Sequence, residues 1–202
     1  MLILDARRHL VLMIVFLATV ITELAWFANL WGRRYEEDAR DEGGFFYNLF
    51  RYYNRGAFVL MYIPCSYLVE RFGIRASLTT GMVLTAFGLW MTLAKTYTFG
   101  CFLIASGAPF IVNLSTLVSG SWYGPRGRTI GTMILLVGLQ LPRVVSDFLG
   151  KDLRDFTLIL AILSTSFLVC TMFLVWDLPE LPPTMSEDER ERGDKRHPQV
   201  LK

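Results

Sequence analysis

Two short basic segments constrain this chain most: Glu70-Arg71-Phe72-Gly73-Ile74-Arg75 and Trp122-Tyr123-Gly124-Pro125-Arg126-Gly127-Arg128. Each ends one long apolar run and is followed at once by another. A helix apolar on all sides must be buried in a large core or in lipid, and about 20 such residues cross about 30 Å of hydrocarbon. Neighbours joined by so few residues must be antiparallel helices that turn at a membrane surface. The expected fold class is therefore all-α, a polytopic transmembrane bundle. Composition agrees: 53% of the 202 residues are hydrophobic and 19% are charged, below the quarter usual in soluble domains. A net charge of +2 argues against a nucleic-acid partner.

Six spans are predicted, at 10–31, 53–70, 76–94, 97–119, 129–149 and 156–176, forming a transmembrane domain 10–176. An N-terminal segment, 1–9, precedes it and a charged tail, 177–202, comes after it. The first run is too long for a signal-peptide core, and Gly32-Arg33-Arg34 follows it instead of a cleavage site, so a retained helix is expected. The second is the weakest, since its apolar part, 56–69, reaches only about 21 Å. Its start is placed near Tyr52 and Tyr53, which suit an interface, and Pro64 is expected to kink it. An interfacial or re-entrant segment is the alternative there. The acidic stretch Glu36-Glu37-Asp38 and its neighbours make 32–51 an expected solvated loop with room for a short helix. Pro179, Pro182 and Pro183 stop the last helix, and the tail reads as a disordered extension or the start of an interdomain linker. Lys and Arg counts do not by themselves choose an orientation.

Small residues offer a contact surface. Gly81, Thr85, Gly88 and Thr92 form one ridge along the third span, against which a second helix can lie, although glycine is common in membrane helices in any case. Cys65, Cys101 and Cys170 all fall within apolar runs and read as small buried residues, not a disulfide or metal set. His9 and His197 lie too far apart in sequence to suggest a metal site. No metal and no cofactor is expected.

Ionisable groups within a span are costly and are functional hypotheses by default. Three occur: Glu23 in the first span, and Arg143 and Asp147 in the fifth. Glu23 and Arg143 both lie about 21 Å from the expected inner ends of their helices, so they can meet if those helices are neighbours. Asp147 is four residues beyond Arg143 and on the same face. The functional reading is a substrate or proton-coupling cluster, with Trp26, Asn29, Asn113 and Gln140 around it. Trp26, three residues from Glu23, would then supply a ring for a cation. The structural reading is a charge-balanced triad that fixes two helices together, with Trp26 in an ordinary aromatic belt. No Gly-x-Ser-x-Gly, His-Glu-x-x-His or Gly-x-x-x-x-Gly-Lys motif occurs, and no enzyme activity is expected.

The segment Ser66-Tyr67-Leu68-Val69-Glu70-Arg71-Phe72-Gly73-Ile74-Arg75 resembles the loop signature of the major facilitator superfamily, Gly-x-x-x-Asp-Arg/Lys-x-Gly-Arg-Arg/Lys. Ser66 replaces its first glycine, Glu70 its aspartate and Ile74 its first closing basic residue. The resemblance implies half of a major facilitator fold, with the N-terminus cytoplasmic. It also implies a gating role for Glu70, Arg71, Gly73 and Arg75, and the second basic turn adds Arg126 and Arg128. The flanking Tyr62-Ile63-Pro64-Cys65 and Ser121-Trp122-Tyr123-Gly124-Pro125-Arg126 resemble the branch of feline leukemia virus subgroup C receptor-related transporters. Members of that branch have been linked to haem, choline and ethanolamine. The branch's choline pocket implies roles for Trp26 and Gln140, whereas Glu23 and Arg143 have no counterpart in it. Gly127 stands where an acidic residue is usual. The resemblance implies ATP-independent transport of a small organic solute, cationic or amphipathic, by a multi-pass membrane protein. A complete protein of this kind has two six-helix halves, so a homodimer or a C-terminal half is the expected partner, beside the solute and membrane lipid. The alternative is a truncated, non-transporting form that binds or regulates a partner half.

Overall fold

The computed structural model describes residues 2–38, 43–148 and 153–175. Among them there are helices and no strands: α1 Leu2–Asp38, α2 Gly43–Leu93, α3 Tyr97–Trp122, α4 Pro125–Phe148 and α5 Leu153–Leu174. Four stretches are long and apolar enough to cross a membrane: Arg7–Ala28, Phe58–Leu93, Phe99–Trp122 and Asp155–Leu174. Their outer surfaces carry Leu60, Ile63 and Phe173, each 77% exposed. That much uncovered apolar surface suits lipid and would aggregate in water. The chain is a membrane protein.

The helices outrun their apolar windows. The segment expected as a solvated loop is helical over 32–38 and 43–51, and 39–42 and the tail from 176 lie outside the described residues. The basic breaks are also narrower than expected. The first is a single non-helical residue, Gly73, at φ 82° and ψ −174°, a backbone that glycine alone adopts without strain. The second is reduced to Tyr123 and Gly124, because Pro125 already opens α4, where its missing N–H costs nothing. α4 occupies the expected fifth span. Cys65 and Cys101 are buried as expected, but Cys170 is exposed, because it lies on the outward face of α5.

The tightest packing joins the second half of α2 to α3, which run antiparallel. A Cβ on Gly88 would sit 2.7 Å from the Gly100 carbonyl oxygen, and one on Gly107 would sit 2.9 Å from that of Gly81. A Cβ on Gly100 would meet the Thr92 hydroxyl and lie 2.6 Å from the Gly88 carbonyl oxygen. The small-residue ridge is thus a seam where two backbones touch. Between them the chain turns on Lys95 at φ 65°. The Thr96 N–H donates to Met91 O at 3.1 Å and the Lys95 N–H to Thr92 O at 3.0 Å, a Schellman cap that satisfies the last carbonyls of α2.

Two buried clusters mark the two ends of the bundle. One holds Val11 and Val15 of α1, Ile74 and Leu78 of α2, Val118 and Trp122 of α3, and Val175. The other holds Ala25 and Ala28, Leu89, Ile104, and Leu160 and Ala161 of α5. The N-terminal part of α1, both basic breaks and the end of α5 therefore share one end.

Candidate functional site

The shared end is a set of basic side chains clasping helix termini. Arg75 donates from Nη2 to the Met172 carbonyl at 2.6 Å, in the last turn of α5. Arg128 donates from Nη2 to Gly120 O at 3.1 Å and from Nε to Tyr123 O at 3.2 Å, at the end of α3. Helix C-termini present unpaired carbonyls and a partial negative charge, so a guanidinium there satisfies both. The Arg8 guanidinium lies 5.1 Å from the Tyr123 ring centroid. The Tyr123 hydroxyl sits 3.4 Å from Nδ1 of His9. Burial pushes the Tyr123 phenol above its ordinary range, while the charge of Arg8 pulls the other way. Of the expected gating residues, Glu70 and Arg71 are exposed, with Arg71 over the ring of Phe72 at 5.8 Å. Gly73 makes the break, and the Arg126 side chain lies outside the description. Arg8, His9 and Tyr123 escaped sequence reasoning. A lone aromatic residue in a turn and a basic N-terminus carry no pairing signal, and only the helix register brings them together.

At the other end, α1 and α4 run parallel. A Cβ on Gly138 would lie 3.0 Å from a ring carbon of Phe16, and this contact sets their register. From there Glu23 is seven residues on and Arg143 five, so their backbones lie within about 3 Å of the same height. Glu23 is half-buried and partnered. Arg143 lies within α4 and Asn29 within α1, as Asp147 does within α4, but these three side chains are outside the description. Trp26 is half-buried and packs against the cluster of Ala25, Leu89 and Ile104. Gln140 is exposed on α4.

Asn113 stands apart. Thr22 and Thr85 share a hydrogen bond at 3.3 Å across α1 and α2, and Gly81 packs on Ile111. Counting turns from these contacts puts Asn113 about 10 Å below Glu23. It is half-buried, and its Nδ2 is buried without a hydrogen-bond partner among the described residues. Among the described residues no cluster of His, Cys, Asp and Glu suits a metal ion.

No protein-family model matches the chain. It is 24% identical, over 150 aligned positions that cover 64% of the chain, to an uncharacterized MFS-type transporter of Caenorhabditis elegans. The chain is similar to a facilitator-type transporter. It spans only 26% of that relative's length. The match supports a distant kinship with the major facilitator superfamily and distinguishes no branch within it. Helices long and apolar enough to cross a membrane accord with a relative named as a transporter.

Proposed function

We propose that the chain is the six-span N-terminal half of a major facilitator transporter that moves a small organic solute without ATP. The observation that carries this reading is a half-buried carboxylate, Glu23, on a helix in register with α4, which holds Gln140, Arg143 and Asp147. Such groups are expensive in hydrocarbon and are kept where they meet a solute, a coupling ion or each other. The distant transporter relative supports the same reading.

The six spans are argued from length. Phe58–Leu93 holds 36 residues, about 54 Å if straight, against about 30 Å of hydrocarbon. The break at Gly73 divides it into two spans, and α4 supplies the fifth. In this multi-pass arrangement the N-terminus and the basic breaks face the cytoplasm, and Arg75 and Arg128 hold the inner ends of α5 and α3. Glu23, Trp26 and Gln140 face the solute, and Asn113 belongs to a lower level of the same route. The branch resemblance favours a cationic solute such as choline, for which Glu23 is a fitting counter-charge. A second six-helix half, from a second copy or a C-terminal segment, completes the route.

The test is saturable uptake of radiolabelled choline and ethanolamine into proteoliposomes, for the wild type and Glu23→Gln. Uptake that falls more than tenfold in Glu23→Gln, with the thermal midpoint unchanged, is the expected result. A midpoint that falls in parallel makes Glu23 a structural ion-pair partner. Folded protein without uptake that co-purifies with a second transporter half favours the non-transporting, regulatory reading.

A further inference from the structure

Tyr123 joins three helices at the shared basic end. It stands in the turn between α3 and α4, and the first turns of α4 close on its ring through glycines. A Cβ on Gly127 would lie 3.1 Å from ring carbon Cδ1, and one on Gly131 would lie 3.5 Å from Cδ2. The residue is only 8% exposed. Its hydroxyl has one hydrogen-bond partner among the described residues, Nδ1 of His9 on α1, at 3.4 Å. The two ring centroids are 6.2 Å apart at 62°, and the Arg8 guanidinium lies 5.1 Å from the Tyr123 centroid. His9 itself is exposed. Protons therefore reach the imidazole from water, whereas the phenol it meets is nearly enclosed.

Histidine is the side chain whose charge changes between about pH 5 and 8. A neutral imidazole keeps one bare nitrogen to which a phenol can donate, while an imidazolium has two N–H groups and no acceptor. With His9 neutral, Nδ1 accepts from the Tyr123 hydroxyl. Protonation reverses the roles. Nδ1 then donates, and the phenol proton loses its one acceptor among the described residues, in a place where an unmade bond is costly. Charge acts in the same direction. Arg7 and Arg8 adjoin His9 on α1, with Asp5 one turn earlier. From α4, Arg128 donates to the Tyr123 carbonyl, and Arg126 precedes it with its side chain outside the description. α2 brings Tyr67, Glu70, Arg71 and Arg75 to this end, and α5 brings the Cys170 thiol. Cations outnumber carboxylates there, so one more positive charge is unfavourable.

We propose that His9 and Tyr123 form a proton-sensitive latch that ties the start of α1 to the α3–α4 turn, closed while His9 is neutral and loosened when it is protonated. Because α1 is one unbroken helix over Leu2–Asp38, releasing its start frees it to shift against α3 and α4 as a unit. The latch stands apart from the transport reading, since it needs no particular solute and no second half of the molecule.

The experiment follows the full chain in nanodiscs between about pH 8 and about pH 5.5, by NMR of the histidine and tyrosine ring carbons and by amide exchange. The chain has two histidines, so His9→Gln identifies the His9 signal, and Tyr123→Phe identifies that of Tyr123. In the wild type the Tyr123 signal should shift with the same midpoint as His9. Protection of the amides in the first turns of α1, corrected for the intrinsic pH dependence of exchange, should fall at least about threefold on acidification. His9→Gln keeps an acceptor for the phenol and carries no titrating proton, so both changes should vanish. In Tyr123→Phe the His9 ring should still titrate while the protection of α1 no longer follows it. Protection that ignores pH in the wild type, or that changes equally in His9→Gln, overturns the inference, as does a Tyr123 signal that does not follow His9. His9→Gln alters an exposed position, so the comparison holds even where Tyr123→Phe does not fold.

Discussion

The seam between α2 and α3 and the contact between α1 and α4 both depend on glycine, yet they are built differently. Along the first, Gly81, Gly88, Gly100 and Gly107 bring backbone to backbone, and Thr85 and Thr92 each donate a hydroxyl proton to a glycine carbonyl of their own helix. Along the second, Gly138 meets the ring of Phe16, the far end of a side chain that can move. Polar groups on the α1 and α4 side include a half-buried carboxylate and three exposed or half-exposed residues that bond nothing among the described residues. Lipid offers no hydrophobic drive to helix association, so close packing must hold a membrane bundle together. The first region does that. The second carries polar groups where the first carries close backbone contacts.

The comparison breaks most visibly at Gly100. Gly100→Val places methyl groups against the Gly88 carbonyl and Thr92, neither of which can retreat without moving a helix. Overpacking typically costs about 1–3 kcal/mol, and this site should reach or pass the upper end, seen as loss of monodisperse protein after solubilisation. Retention of a wild-type thermal midpoint would mean the seam is looser than described. Next in size is Arg75→Ala, which removes the bond to the Met172 carbonyl. Charge-assisted bonds contribute about 1.5–3 kcal/mol, reduced here to about 1 kcal/mol by exposure. It should raise amide exchange in the last turn of α5 and leave the Gly88–Gly100 seam untouched. The smallest effect is expected from Gly138→Ala, whose Cβ asks the Phe16 ring to shift by a few tenths of an ångström. A stability change below about 1 kcal/mol would sharpen the contrast, and a change as large as that of Gly100→Val would erase it.

Much of the architecture is legible in the chain itself. Apolar runs too long for a soluble core, and basic breaks too short for anything but a turn, specify membrane helices. The four-three-four spacing of Gly81, Thr85, Gly88 and Thr92 marks the ridge that α3 covers. The helix limits are less readable, because α1 and α2 continue through charged residues that need no lipid, and apolarity does not report where such helices stop. Glu23, Arg143 and Asp147 stand out because charge is conspicuous in an apolar run. The level of Asn113 against α1 depends on the Thr22–Thr85 and Gly81–Ile111 contacts between neighbouring helices, which the chain itself does not report.

The sequence by itself determined the solvent, the helical class and the residues that hydrocarbon would reject, because these depend on the transfer energy of each side chain and on periodicities along one helix. The tertiary structure decided which residues meet. It placed Arg8 over Tyr123 and Arg75 on the end of α5, and it left Thr129 and Gln140 exposed on α4. Such placements depend on how far one helix is shifted and rotated against another. That is settled by glycine contacts and ring packing many residues distant, and no local pattern in the chain reports it.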